Sequence, residues 1–412
     1  MTAIGKSVVR GLITLALWSY GGTLGGEEVL PAAQERTAEP IAIYLTWQRD
    51  PMTTMTVQWI STSDDIADSL HYRPTNNSRW LQAHGSHHLL AHQAAYHVHW
   101  VELTGLQPGT IYHFKLTENG KEHQFRTLAN TLNGPIRFAV GGDIYHDGID
   151  QVKKTNRQVA KLQPDFVLWG GDLAYSFRHW LRPENGHAWL ELLSAWQETM
   201  IGPDGCMVPL IPVIGNHDVQ GGYNQGPASA PFYYTLFAMP GLQGYNVLDF
   251  GNLMTILLLD SGHTHAVTGA QSLWLETSLA ARKHVLNKFA LYHVPAYPAV
   301  RSSDSKMSPE IRRHWVPLFE KYGLKASFEN HDHTYKRTCP IKEGKCDPSG
   351  VLYLGDGAWG VLKPRSAKSS PQAWYLAFSK AASHFIMVIV EGGKSNFRAI
   401  DSDGEPFDAV ER

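Results

Sequence analysis

The chain has 412 residues, enough at about 150 per domain for two or three domains, and 43% of them are apolar, enough for a substantial core. A small disulfide scaffold and a disordered tail are excluded. Thirty-six Lys and Arg against 38 Asp and Glu leave a formal net charge of −2 with no basic block, which excludes nucleic-acid binding by bulk electrostatics. Twenty-one His beside only 3 Cys raise the question of a metal, although imidazoles also serve at surfaces and in packing.

At the N-terminus, Lys6 and Arg10 precede an apolar run at 11–20 and then the small stretch 21–26. Basic, apolar, small is the order of a cleaved export signal, here 1–25, and the run is about half of what a bilayer-spanning helix needs. A secreted or periplasmic protein is expected. No later stretch approaches the ~18 uninterrupted apolar residues of a membrane span. Cys339 and Cys346, with six residues between them, could close in an oxidising compartment and leave Cys206 over; two cysteines alone do not decide it.

From about 41 to 127 the chain shows short alternating runs broken by turn residues, at 44–47, 55–59, 70–72, 96–103 and 111–116. Period-two alternation at this spacing predicts an all-β sandwich over 38–130. Within it, 101–114 resembles the corner before a late strand of fibronectin type III domains, with Tyr112 as the strand's aromatic. His84, His87, His88 and His92 fall in a polar stretch that reads as a solvated loop.

After the Leu132-Asn133-Gly134-Pro135 linker the pattern changes, and a second domain is expected over 135–412. Continuous apolar runs at 136–140, 166–169, 210–214, 253–259, 289–292 and 326–328 predict buried strands. Between them, 149–162, 187–199, 271–285 and 309–322 carry helical spacing. This is α/β, a two-sheet sandwich with strands covered on both faces, and the β-like runs between 351 and 407 complete it.

Five of those runs lead straight into metal-ligand residue types. They are followed by Gly141-Gly142-Asp143, by Gly170-Gly171-Asp172 with Tyr175, by Gly215-Asn216-His217-Asp218, by His293, and by Glu329-Asn330-His331-Asp332-His333. Open α/β sheets bind ligands beyond the carboxyl ends of their strands, so these five ends converge on one crevice. Taken singly, Asp143, Asp172 and Asn216 could be helix caps, His331 and His333 surface residues, and Tyr175 a packed tyrosine.

Taken in order, the blocks resemble the binuclear metallophosphoesterases, and within them the purple acid phosphatases, whose pattern is GD, GDxxY, GNH(D/E), a lone His and GHxH. The resemblance covers most of the mature chain. It implies one metal held by Asp143, Tyr175 and His333, another by Asn216, His293 and His331, and Asp172 as the bridge. The first set, rich in anionic oxygen, suits Fe(III); the second, with two neutral imidazoles and an amide, suits divalent Zn, Fe or Mn. Tyr175 favours the purple subset, because Tyr145 stands where the wider superfamily has the His of DxH, with His146 one residue late. Asn330 replaces the usual Gly of GHxH.

By the same resemblance His217 is not a ligand but contacts phosphate or the departing alkoxide. Asp218 could orient or charge it, His146 and Asp147 lie in a loop near the site, and the loop after His293 offers Tyr297 and Arg301, the latter as a bidentate phosphate contact. The expectation is an exported acid phosphatase acting on small-molecule phosphate monoesters through a metal-activated water. The alternatives are a phosphodiesterase or nucleotidase on the same scaffold and, from another class, a non-catalytic surface-binding protein with a vestigial metal site. No nucleic-acid partner is expected, and the oligomeric state is open.

Overall fold

In the computed structural model, residues 39–62, 67–130, 134–177, 186–367 and 373–412 are described. The leader expected at 1–25 lies outside them. Among the described residues no helix is long and apolar enough to cross a membrane.

The N-terminal part is all β. Its strands are β1 Ala42–Thr46, β2 Met55–Ser61, β3 Ser69–Pro74, β4 Leu81–His84, β5 Ser86–Leu90, β6 Gln93–Leu103, β7 Ile111–Lys115 and β8 His123–Arg126. They form two four-stranded sheets, ordered β1-β2-β6-β5 and β4-β3-β7-β8. The sequence pattern missed β4 and β5, which carry His84, His87 and His88; only His92 stands at a turn. The stretch lacks the apolar alternation that marks a strand, and pairing with β6 and β3 overrides that weak local signal. Tyr112 makes a tyrosine corner, its hydroxyl accepting the backbone N–H of Gln107 at 2.9 Å.

The remainder is α/β. In chain order it contains β9 Ile136–Gly141, α1 Ile149–Lys161, β10 Phe166–Gly170, α2 His187–Thr199, β11 Leu210–Val213, α3 Pro231–Leu236, β12 Asn246–Phe250, β13 Met254–Leu258, α4 Ala270–Ala281 and β14 Asn287–Leu291. There follow α5 Ser308–His314, α6 Val316–Lys321, β15 Ala326–Glu329, β16 Tyr335–Thr338, β17 Ile341–Lys342, β18 Lys345–Cys346, β19 Leu352–Gly355, β20 Leu376–Lys380, β21 His384–Glu391, β22 Lys394–Asp401 and β23 Pro406–Glu411. The single helix expected at 309–322 is two, meeting at Trp315, because Pro317 has no N–H for a continuous helical ladder.

Two large sheets, β11-β10-β9-β21-β22-β23 and β12-β13-β14-β15-β19-β16-β20, build this part, with β17 and β18 paired as a small separate ribbon. Phe138 of β9 packs edge-on against Phe289 of β14 and Phe328 of β15, with centroids 6.0 and 6.1 Å away, so the apolar faces of the two sheets meet in one core. Strands β9, β10 and β11 run parallel in one sheet, and β13, β14, β15 and β19 in the other. Their carboxyl ends therefore deliver the loops that follow them to common edges. Cys339 and Cys346 are joined in a disulfide, and Cys206 is a buried free thiol.

Candidate metal centre

Each proposed ligand leaves a strand end by a sharp turn. Asp143 follows β9, Asp172 and Tyr175 follow β10, Asn216 opens a short 3-10 turn after β11, His293 follows β14, and His331 and His333 follow β15. Five of the seven lie in the left-handed region: Asp143 at φ 55°, Asp172 at 52°, Tyr175 at 52°, His331 at 84° and His333 at 60°. Non-glycine residues adopt this conformation at a cost of order 1–3 kcal/mol each, and such strain gathers where a site must be pre-arranged.

Around the first position, Tyr175 donates its hydroxyl to Asp143 Oδ1 at 2.8 Å. His333 Nε2 is 2.8 Å from the same oxygen and 3.3 Å from the Tyr175 hydroxyl. Around the second, His293 Nε2 lies 3.2 Å from Asn216 Oδ1, 3.1 Å from His331 Nδ1 and 3.2 Å from Asp172 Oδ2. Donors on one cation with bonds of roughly 2.1 Å sit about 3 Å apart, the spacing found in both groups. Asp172 stands between them. Its Oδ1 accepts the backbone N–H of His217 at 2.7 Å, whereas Oδ2 is buried without a hydrogen bond.

The electrostatics fit cations held there. Burial opposes charge on Asp172, yet His293, His217 and His331 hold its carboxyl well below the usual range. Asp143 is likewise lowered against its burial, chiefly by His333. For His293, burial is outweighed by the Asp172 and Asp143 carboxylates, and its pKa rises to about 9. The pocket thus draws positive charge onto a ring that must be neutral to ligate. His331, buried and beside His293 and Arg301, is pushed well down into its neutral form. His293 donates Nδ1–H to Gly170 O at 2.9 Å, which leaves Nε2 to face the centre.

Asn330 is accommodated by a glycine on β10 and one just after β9. A Cβ on Gly170 would lie 2.0 Å from Asn330 Nδ2, and one on Gly142 2.5 Å from its Oδ1. The side chain absent at these glycines makes room for the amide, which donates to Tyr292 O at 3.0 Å.

The remaining candidates divide. The His217 ring lies on Tyr175, with centroids 4.8 Å apart and Nδ1 without a hydrogen bond. The His146 ring is 4.5 Å from that of His333 and 5.1 Å from that of Tyr175, beside the Asp143 group, and its Nδ1 is 2.8 Å from Asp147 Oδ1. Tyr145 points elsewhere, to Glu191. Asp218 is buried and gives both oxygens to backbone amides, of Leu173 at 2.8 Å and Gly215 at 2.9 Å, so it holds together the two loops that present Asp172 and Asn216. Burial and the Asp172 charge raise its pKa to about 8. Arg301 is partly exposed, its guanidinium 3.2 Å from His331 O and 3.3 Å from Asp332 Oδ1. Tyr297 turns away and packs its ring on Tyr353 and Tyr375.

Two residues the sequence pattern did not single out belong here. Tyr223 places its hydroxyl 3.1 Å from Asn216 Oδ1 and 3.4 Å from His331 Nε2. Behind it, buried His263 donates Nδ1–H to Gly222 O at 2.9 Å and so ties down the loop that carries Tyr223. His263 follows β13, a sixth apolar run leading into Asp260-Ser261-Gly262-His263. The rule that found the other five strand ends would have found this one.

Residues 40–127 match the purple acid phosphatase N-terminal domain and residues 136–335 the calcineurin-like phosphoesterase domain. Among curated relatives, purple acid phosphatase 21 of Arabidopsis thaliana is 26% identical over 63% of this chain, a match spanning 58% of that relative's length. A probable purple acid phosphatase 20 of the same plant is 24% identical over 93% of this chain and 91% of its own. Acid phosphatase type 7 of Mus musculus is 23% identical over 90% of each. A purple acid phosphatase isolated from yellow lupin (Lupinus luteus) seeds shares the fold at a TM-score of 0.72 and 18% identity, over 90% of this chain and 73% of that one.

Proposed function

Since the chain belongs to the purple acid phosphatase-like metallophosphoesterases and is a metal-dependent phosphoric ester hydrolase, we propose that it hydrolyses phosphate monoesters at a binuclear centre. In this reading Asp143, Tyr175 and His333 hold one ion, Asn216, His293 and His331 the other, and Asp172 bridges them. The observation that carries it is the convergence of these seven side chains from five strand ends, five of them in strained backbone. Two cations so placed would acidify a bound water and offset the charge of an in-line displacement at phosphorus.

The chain's own groups supply the rest. His217, with a free Nδ1 and its ring on Tyr175, hydrogen-bonds the phosphoryl oxygen or protonates the departing alkoxide, and Asp218 acts through the loop as a positioning residue. His146 flanks the first-metal side, and the Tyr223 hydroxyl and Arg301 guanidinium flank the second, so a phosphate seated between them meets donors from three directions. The anionic oxygens of the first set support Fe(III) there, with Zn, Fe or Mn in the second. The basic, apolar, small order of residues 1–26, read as a leader over 1–25, and the Cys339–Cys346 disulfide support export to a secreted or periplasmic location. The sandwich order β1-β2-β6-β5 over β4-β3-β7-β8 and the Tyr112 corner support a fibronectin III-like unit over 38–130, followed by the catalytic domain over 135–412.

The test is a panel of mono- and diesters assayed with metal analysis on the wild-type chain and Asp172→Asn. The expected result is preference for monoesters, two metal ions per chain, and a fall in kcat of at least about 10³-fold with metal loss in the variant. Full turnover by Asp172→Asn would remove the binuclear mechanism. A diester preference would move the substrate class and leave the mechanism in place.

A further inference from the structure

The sandwich assembles a second set of metal-ligand side chains, separate from the centre above. His87 on β5 pairs directly across from His99 on β6, and Asp68 immediately precedes β3 of the facing sheet. His87 Nδ1 lies 2.9 and 2.8 Å from the two Asp68 oxygens, and His99 Nδ1 lies 2.7 Å from Oδ1. One donor atom from each of the three falls within 4.8 Å of the other two.

We propose that Asp68, His87 and His99 bind a divalent transition-metal ion of the zinc class, which clips one sheet of the sandwich to the other. Two imidazoles and a carboxylate without thiolate suit zinc and its neighbours, and three protein donors leave a position for water. The site is reachable: the Asp68 and His87 side chains are 27% and 37% exposed, while His99 is fully buried.

The His99 ring is already oriented as a ligand would be. It stacks on Trp59 with centroids 4.8 Å apart and planes 2° from parallel, and its Nε2 is 2.8 Å from Ser61 Oγ. A ligating histidine uses its second nitrogen to donate to such a partner, which fixes tautomer and rotation. Without metal, the two Nδ1–H groups donate to Asp68. With metal, each neutral ring carries its proton on Nε2, His99 donating to Ser61, and no net proton is released. His97 stands next on the same face, its ring centre 5.2 Å from that of His87.

The experiment uses the full chain, equilibrated with zinc chloride, freed of unbound ion and counted for zinc per chain, beside His87→Gln and Asp68→Asn. The expected result is one zinc fewer in each variant, with phosphatase activity unchanged, and a wild-type Tm that rises with zinc beyond the rise in His87→Gln. Equal zinc content in all three chains would overturn the site and leave a carboxylate–imidazole hydrogen-bond cluster in its place.

Discussion

Tyr175 separates a phenol from a phenolate. In the protein pocket it is a donor to Asp143, and burial together with the Asp143 and Asp172 charges raises its pKa well above the ordinary tyrosine value. Only a strongly charged ion at 2 Å or so reverses that balance, and a tyrosinate on Fe(III) absorbs visible light by charge transfer. The oxidised protein should therefore be coloured, and Tyr175→Phe should lose the band while the other six donors stay in place. A colourless, fully active zinc protein, or a band that survives in the variant, would contradict the Fe(III) assignment. The convergence of these seven side chains was legible because each falls just behind a buried strand, where backbone periodicity and chemistry coincide. Tyr223 was not, since it sits in a glycine-flanked loop with no periodicity, and its position over Asn216 and His331 arises from folding alone. The Asn330 substitution could not be judged from sequence either, because the space it occupies is left by glycines on β10 and after β9.

The strand that follows His333 carries a device no local pattern announced. Lys336 on β16 is fully buried, 2.6 Å from Glu329 Oε2 and 3.5 Å from Asp356 Oδ2, and it also donates to Tyr297 O. Glu329 in turn accepts from the Tyr292 hydroxyl at 2.6 Å and from the Ala296 backbone at 2.7 Å, and Asp332 accepts from Val300 N at 2.6 Å. The loop after His293 and the loop after β15 are thus tied to one buried charge cluster. Burial disfavours a charge on Lys336, but Asp356 and Glu329 hold its pKa above the ordinary value, so it stays cationic. Removing one member of a buried pair leaves an uncompensated charge and costs about 3–5 kcal/mol. Lys336→Met should lower the denaturation free energy by about that amount, read from urea midpoints at constant m, and unchanged midpoints would refute the role. At this scale the long, strongly periodic elements were legible: α2 has the expected bounds, β9 and β10 differ from theirs by one residue at one end, and β13 by one residue at each end. The polar strands β4 and β5 and the break at Trp315 were not, because one depends on partners distant in sequence and the other on a single missing amide.

At the scale of the molecule, the arrangement of sheets was least visible in the sequence. Strand β21, near the end of the chain, pairs antiparallel with β9, where the α/β part begins, and no local periodicity records such a partner. The same holds for the N-terminal sandwich, whose strands β1 and β2 are buried on both sides. One face joins the core shared with Phe114 and Phe125; the other, with Ala42, Tyr44, Ile60 and Val98, packs among Trp189, Phe232 and Phe237 of the α/β part. Polar ties set the fit, since Tyr44 and Gln58 both donate to Leu236 O, at 2.6 and 2.8 Å, and Ile43 N donates to Gln197 Oε1 at 2.5 Å. Strands buried on both faces cannot lose their neighbour without exposing a row of apolar side chains, each worth about 1.5–3 kcal/mol. The two parts should therefore unfold together, with one calorimetric endotherm whose van't Hoff and calorimetric enthalpies agree. A chain beginning at Gly134 should expose the α2–α3 face and aggregate. Two resolved endotherms, or a soluble truncated chain of unchanged Tm, would show instead that the sandwich is an independent unit attached to a self-sufficient catalytic part.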